Sequence, residues 1–291
     1  LKVEVRALFP QRCCDAIGFK APDTAEFNHL LDVANLKGHH LASERCRYAI
    51  LRLPNGSEMW QAFNNNLSLL NNNPHFLGQS RVPVQILQMF DVASSVEGLL
   101  KVRTNPHDAA APHVQFAVNM PAWDFTRPIL KERKEKAAGP LIATLQITAF
   151  AEALECFDSP EAYEEAHRPP PPEPVEHGRH KEPVAPPEPP PPPPPMINFH
   201  PSGLMTAGTS RPQPQAALSG IIESGHVLDN PITGQKTCHI GLRTVGMTID
   251  LVSDVAVVKC RPRRGGIVRG PVWLSARLVE EIEATESRLP K

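Results

Sequence analysis

The stretch "IVRGPVWLSARLV", residues 267–279, decides how the C-terminal part of the chain is read. Proline removes a ladder donor and glycine weakens a strand interior. Gly270-Pro271 therefore predicts a corner between two short strands, Ile267–Val268 and Val272–Leu278. A basic loop, "KCRPRRGG" (259–266), precedes it. Upstream, Met247–Val252 and Lys236–Thr244 read as strands, and "DNPITGQ" (229–235) is a turn. Leu218–Leu228 reads as a longer strand in which Gly220 and Gly225 could mark bulges. Short strands with glycine corners predict a small all-β barrel over 216–291, ending in a short helix.

Ahead of the barrel lies "RPPPPEPVEHGRHKEPVAPPEPPPPPPPMINF" (168–199), with 15 prolines in the 27 residues from Pro169 to Pro195. Its default state is polyproline II, which at ~3.1 Å per residue spans at most roughly 80 Å. The expected role is a spacer, so residues 168–215 form a linker between two domains. Arg168, Pro171 and Pro174 match the pattern read by SH3-type grooves, but such a match arises by chance in a proline run. The segment "MINFHPSGLM" (196–205) is apolar, and Ile197, Phe199 and Leu204 are candidate partner-docking residues unless they pack locally.

Residues 1–167 are predicted as a sheet-dominated α+β domain. Lys2–Leu8 alternates like a strand. "APDTAEFNHLLDVANLKG" (21–38) is a helix capped by Asp23, with Phe27, Leu30, Leu31 and Ala34 as its apolar stripe. Gly38 is expected to stop it with a positive φ. Pro54-Asn55-Gly56 turns a hairpin. Further strands are expected at Arg81–Phe90, Val114–Met120 and Leu141–Phe150, and a short helix begins at Ser159-Pro160. Asn64–Asn66 and Asn71–Asn73 bracket a loop expected to be exposed, and "LKERKEKAAG" (130–139) reads as a charged loop or short surface helix.

The strand–helix–hairpin order, with "LRLPNGSEMW" (51–60) at the hairpin, resembles half of a glyoxalase/bleomycin-resistance (vicinal oxygen chelate) unit over roughly residues 2–63. That resemblance implies a polar metal ligand such as His on the first strand and a Glu on the last. The first strand here offers Val3, Glu4, Val5 and Arg6, and the hairpin past Glu58 offers Met59, Trp60 and Gln61. The ligand set is lacking, so metal chemistry is not expected. A ferredoxin-like arrangement fits the same elements. In the C-terminal part, the Gly265-Gly266 corner and the apolar strand crossing Gly270 resemble the closing strands of OB folds, and "WLSARL" is similar to the end of a group of bacterial proteins.

OB folds bind single strands by aromatic stacking. From Ala216 onward the one Phe, Tyr or Trp is Trp273, and it lies in an apolar strand where a core role is expected. Arg243, Lys259, Arg261, Arg263 and Arg264 are the candidate nucleic-acid or anion contacts. A basic loop is more often simply solvated.

Net charge is −1, so no global field draws the chain to polyanions. No apolar run reaches the ~18 residues of a membrane span. The first ten residues lack the apolar stretch of a signal peptide, and six cysteines in 291 residues are no disulfide framework. A cytoplasmic protein with reduced thiols is expected. There is no phosphate loop, dinucleotide fingerprint, nucleophile elbow or His-Glu-x-x-His. Cys13, Cys14, His39, His40 and Cys46 come nearest to a chemical cluster, but an adjacent Cys pair on a strand points in opposite directions. Buried thiols and surface histidines are expected instead. Glu152/Glu155 and Glu280/Glu281 read as solvated carboxylates, and His226 and His239 as histidines on adjacent strands that could pair across them. The expected function is a non-catalytic, two-domain binding or adaptor protein engaging another protein, without cofactor. The alternatives are single-strand contact through the basic loop and a degenerate vicinal-oxygen-chelate enzyme or small-molecule binder.

Overall fold

A computed structural model describes residues 12–91, 96–168, 195–202, 212–258 and 261–288. The expected strand Lys2–Leu8 lies outside them. The chain opens with α1 (Arg12–Ala16) and α2 (Thr24–Lys37). Asp23 caps α2 by accepting the Glu26 N–H at 2.9 Å, and Leu30 and Ala34 are buried. Gly38 has φ −74°, not a positive value. Its constraint is close approach: a Cβ there would sit 2.7 Å from the Ala34 carbonyl and 3.2 Å from the Ile50 backbone. Cys13 and Cys14 lie in α1, not on a strand, and both are buried.

Four antiparallel strands follow: β1 (His39–Ala42), β2 (Arg47–Arg52), β3 (Ser57–Phe63) and β4 (Leu69–Phe76). The Pro54-Asn55-Gly56 turn forms as expected, with Gly56 at φ +91°. Residues 67, 68 and 70, between the two asparagine clusters, are exposed as expected, and Asn71–Asn73 follow them. They lie in β4, with Asn71 and Asn73 buried. Asparagine is depleted in strands, and it stands in this one because polar partners await it across the interface described below.

A second, ten-stranded sheet comprises β5 (Val82–Asp91), β6 (Gly98–Thr104), β7 (Gln115–Met120), β8 (Ile142–Ala151), β9 (Glu155–Phe157), β10 (Asn198–His200), β11 (Gln215–Asp229), β12 (Lys236–Thr244), β13 (Met247–Asp254) and β14 (Ile267–Leu278). Eight of these close a ring in the order β11-β12-β13-β8-β5-β6-β7-β14, with β14 pairing back onto β11. An additional β8–β14 pairing crosses the ring and divides it into two five-stranded circuits that share this pair. One hydrophobic core fills both. Leu100, Phe116 and Val118 from one circuit join Ile240, Leu242 and Leu251 from the other in a single cluster.

The architecture is thus an α+β region and a closed β-barrel, but the barrel is not confined to 216–291. Those residues supply β11–β14, and the circuit closes only through β8, which precedes the proline tract. The boundary expected at residue 167 falls within the barrel. The reason is the length of β14. Gly270-Pro271 does not break it; Ile267–Ile221 through Trp273–Gln215 pair it with β11, and Leu274–Ala149 through Leu278–Leu145 pair it with β8. Pro271 is exposed. Gly270 is needed because a Cβ would lie 2.2 Å from the Ala153 carbonyl. In β11 the register shift falls between Ile222 and Ser224, not at the glycines; a Cβ on Gly220 would meet the Arg243 carbonyl at 2.4 Å.

Three helices trim the barrel: α3 (Trp123–Lys136), α4 (Pro160–Ala166) and α5 (Val279–Glu286). α3 starts seven residues before the expected charged segment and runs through Pro128, a residue that ordinarily ends a helix. Ser159 caps α4 as expected.

Candidate functional site

Charged and hydrogen-bonding side chains converge where the four-stranded sheet meets the barrel. On β3 and β4, Glu58 pairs with His75 and Trp60 with Asn73, on the face toward the barrel. From β14, Arg277 reaches between them. Its Nη1 donates to Glu58 Oε2 at 2.7 Å, while Nη2 and Nε donate to the two oxygens of Glu281 in α5 at 2.7 and 3.1 Å. Arg277, Glu58 and Glu281 all have zero exposure. The guanidinium lies 4.6 Å from the Trp60 ring centroid, and Trp60 Nε1 donates to Glu58 Oε2 at 3.2 Å. Arg52 Nε donates to the other Glu58 oxygen at 2.5 Å. Burial alone would raise the Glu58 pKa, but Arg277 and Arg52 outweigh it and bring the carboxyl down to about 2. Burial would likewise lower Arg277, and Glu281 and Glu58 reverse that.

The network continues through His75. Its Nδ1 is 2.9 Å from Ser275 Oγ and its Nε2 is 2.7 Å from Gln146 Oε1. Gln146 Nε2 donates to Asp250 Oδ2 at 3.0 Å. A carboxylate can only accept, so the Gln146 carbonyl faces His75 and the imidazole proton sits on Nε2. Burial holds His75 neutral, with its pKa lowered to about 4. Asp250 also accepts the Gln79 and Ser80 N–H groups at 3.2 and 2.8 Å and His239 Nε2 at 2.9 Å. Burial opposes its ionisation, but His239, Ser80 and Gln146 lower it to about 2. Gly78 makes room, since a Cβ there would fall 2.0 Å from the Asp250 carboxyl. His226 and His239 are register partners with rings 6.3 Å apart. Beside this chain, Asn71 Nδ2 donates to buried Glu97. Burial raises the Glu97 pKa to about 7 against the pull of Asn71 and Asn73.

This arrangement is a sealed fastening between the two layers. Arg277, Glu58 and Glu281 satisfy one another with Arg52 and Thr285, and a buried ion pair so hydrogen-bonded holds geometry. Sequence reading passed over Arg277 and took Glu281 for a solvated carboxylate. The available signal was Arg277 itself, a charge within an apolar strand with an acid four residues on in a helix.

The surface carries clefts of about 650, 530 and 430 Å³. The first lies between Ser43, Arg45, Asp124, Pro128 and Thr285. Arg45 there pairs with Asp124 at 2.8 Å, and Ser43 donates to Asp124 at 2.7 Å. The second is lined by Leu154, Tyr163, Pro195, Leu218 and Pro271. Tyr163 packs on Phe157 and His167 at 5.0 and 4.3 Å. Arg269 donates to His167 Nε2 at 2.7 Å and pairs with Glu155 at 3.2 Å. Tyr163, ahead of the proline tract, and Pro195, at its end, both line this cleft. The Pro195 carbonyl accepts from Tyr163 and Ser219 hydroxyls at 3.4 and 3.1 Å. Residues 169–194 lie outside the described residues, but what precedes and follows them is held to one barrel face. The expected spacer falls on those residues.

Of the docking candidates, Phe199 is 5% exposed and packs on Phe116 at 5.0 Å. It belongs to the core because β10 pairs with β11. Ile197 is half-buried and Leu204 lies outside the described residues. Among the basic candidates, Arg243 on β12 is exposed and pairs with Glu223 at 3.3 Å. Arg261, Arg263 and Arg264 are exposed in the loop that meets the opposite edge of β11 through Gly265 N–H and the Ile222 carbonyl, 2.8 Å. β11 therefore separates them from Arg243. Lys259 is outside the described residues. Trp273 is in the core at 7% exposure. Cys13, Cys14, Cys46, His39 and His40 do not assemble, and no group of three metal-binding side chains occurs among the described residues. Burial raises Cys14 to about 12 and lifts Cys13 well above the usual thiol range. No described helix is long and apolar enough to cross a membrane. No family model, curated protein or solved structure matches the chain.

Proposed function

We propose that this is a non-catalytic adaptor that engages another protein, with the proline-rich segment as one of its contact elements. The observation that supports this reading is the return of the chain at Pro195 to the Tyr163 cleft. The described residues on either side of the tract belong to one barrel, which supports a contact role for it. The inward-facing Arg277 network is consistent with a framework role for the rest. The test is cross-linking of the full chain in the cells that produce it, beside a variant in which residues 169–194 are replaced by a short Gly-Ser segment. We expect a reproducible protein cross-link that the replacement removes, with an unchanged melting temperature because the described residues on either side belong to one barrel. Identical cross-links from both proteins would count against the tract, and none from the full chain against the adaptor reading.

A second reading, contact with a single-stranded nucleic acid, is favoured by the exposed Arg261, Arg263 and Arg264 on one loop. Phosphate contact of this kind weakens steeply with salt. Binding of a fluorescent oligonucleotide should fall between low and physiological salt and be lost on replacing all three arginines by alanine. Absence of binding at low salt ends this reading.

A further inference from the structure

His226 and His239 oppose one another across the β11–β12 ladder, with ring centroids 6.3 Å apart. His239 is the fixed member. Phe76 packs on its ring at 4.7 Å, and its Nε2 lies 2.9 Å from Asp250 Oδ1. A carboxylate can only accept, so the proton of the neutral imidazole sits on Nε2 and its lone pair on Nδ1. β12 lies between β11 and β13; Asp250 stands on β13 and His226 on β11. The two nitrogens of an imidazole point away from one another. A ring that turns Nε2 toward β13 therefore leaves Nδ1 on the β11 side, where nothing among the described residues hydrogen-bonds to it. His226 is exposed, and among the described residues its side chain makes no hydrogen bond or ion pair.

A histidine that gives one ring N–H to a carboxylate is prepared as a metal ligand, because that bond fixes the tautomer and raises the basicity of the other nitrogen. Opposed residues of an antiparallel pair carry their Cβ atoms about 5 Å apart. Two imidazoles at that spacing can share one ion at about 2.1 Å from each nitrogen. His226 has only to turn about its side-chain dihedrals, a fast motion for an exposed residue. We propose that His226 and His239 bind a late first-row divalent ion such as zinc, with Asp250 positioning His239. Imidazole favours such ions over magnesium and calcium, which take oxygen ligands. The Asp250 carboxylate sets a negative charge behind the ring, while the neighbouring Arg243 is paired with Glu223 at 3.3 Å. Two side chains fall short of a three-ligand centre, none of which occurs among the described residues, so water completes the coordination. The site goes beyond the adaptor reading and does not depend on it.

The test is titration of the full chain, first stripped with a chelator, with zinc chloride and with magnesium chloride. Binding is followed by calorimetry and by nitrogen NMR of the histidine rings. We expect a single saturable zinc site, no magnesium binding, and coordination of His239 through Nδ1 together with a nitrogen of His226. His226→Ala should weaken zinc binding at least about tenfold, a loss that even outer-shell changes reach. It should leave the metal-free melting temperature unchanged, because His226 is exposed. His226→Cys keeps a ligand for zinc and should restore binding. His40→Ala, at an exposed histidine of β1, should change nothing. Zinc binding that survives His226→Ala, coordination of His239 through Nε2, or equal binding of magnesium overturns the proposal. So does binding seen only at millimolar zinc. None of these results involves the proline tract, so this site and the adaptor reading fail separately.

Discussion

Replacing Arg277 by methionine is expected to destabilise the protein by about 3–5 kcal/mol, the cost of leaving buried charge without its partner. The substitution keeps much of the side-chain length, so packing against Trp60 survives in part. What goes is the cation between Glu58 and Glu281, which have zero exposure. Arg52 still reaches Glu58, and among the described residues Glu281 keeps the Thr285 hydroxyl at 2.8 Å. Neutralising the acids in the same protein, Glu58→Gln and Glu281→Gln with Arg277→Met, should recover much of the loss, because matched removal of a buried pair is far milder than removal of one partner. Urea denaturation of the single and triple variants measures both. If Arg277→Met alone costs less than about 1 kcal/mol, the range of an exposed pair, the network is not the fastening between sheet and barrel.

The second large effect is on acid stability. The carboxyls of Glu58 and Asp250 sit at about 2 in the fold, against ordinary values of 4.5 and 3.8. Their stabilisation is present above the ordinary values and is lost as pH falls toward 2. His75, lowered from 6.5 to about 4, loses stability over that interval, because the unfolded chain takes up a proton that the fold refuses. Glu97 runs the other way. Raised from 4.5 to about 7, it penalises the fold above pH 7 and the penalty disappears as pH falls to 4.5. At about 1.4 kcal/mol per pH unit, His75 and Glu97 each amount to on the order of 3 kcal/mol. They offset one another from pH 6.5 to 4.5. These groups should therefore give a level profile down to about pH 4.5, then a steep fall as Glu58 and Asp250 protonate. Glu97→Gln should stabilise the protein at pH 7.5 by up to about 3 kcal/mol and expose a decline between pH 6.5 and 4.5 that the unaltered chain conceals. Melting temperatures across pH 3–8 decide it. A Glu97→Gln protein weaker at pH 7.5, with an unchanged profile, would mean that Glu97 is ionised in the fold and that its charge is used.

The difference between what could be read early and what could not follows interaction range. Asp23 caps α2, Ser159 caps α4 and Gly56 turns the β2–β3 hairpin because each acts within four residues of itself. The Lys236–Thr244 strand matches its expected limits because alternation is a local signal. The asparagines of β4 and the arginine of β14 mislead because their reasons lie elsewhere in the chain: Asn71 answers Glu97, and Arg277 answers Glu58, 219 residues away. Of the candidate site, His226 and His239 were legible as neighbours across a hairpin, while the meeting of Glu58, His75, Asp250 and Arg277 was not.

The sequence by itself determined the local elements, the absence of familiar catalytic signatures and the presence of a proline-rich segment at 169–195. Only the tertiary structure decided what that segment divides. Gly270-Pro271 looks like a corner until the Ala153 carbonyl is seen to need the space a side chain would fill, and Pro271 is tolerated on an exposed side. The uninterrupted β14 then pairs with β11 at one end and β8 at the other. Backbone hydrogen bonds of that kind carry no residue-specific signature, so no reading of either stretch alone joins them. It is the burial of one shared core from both circuits that makes residues on either side of the tract a single barrel.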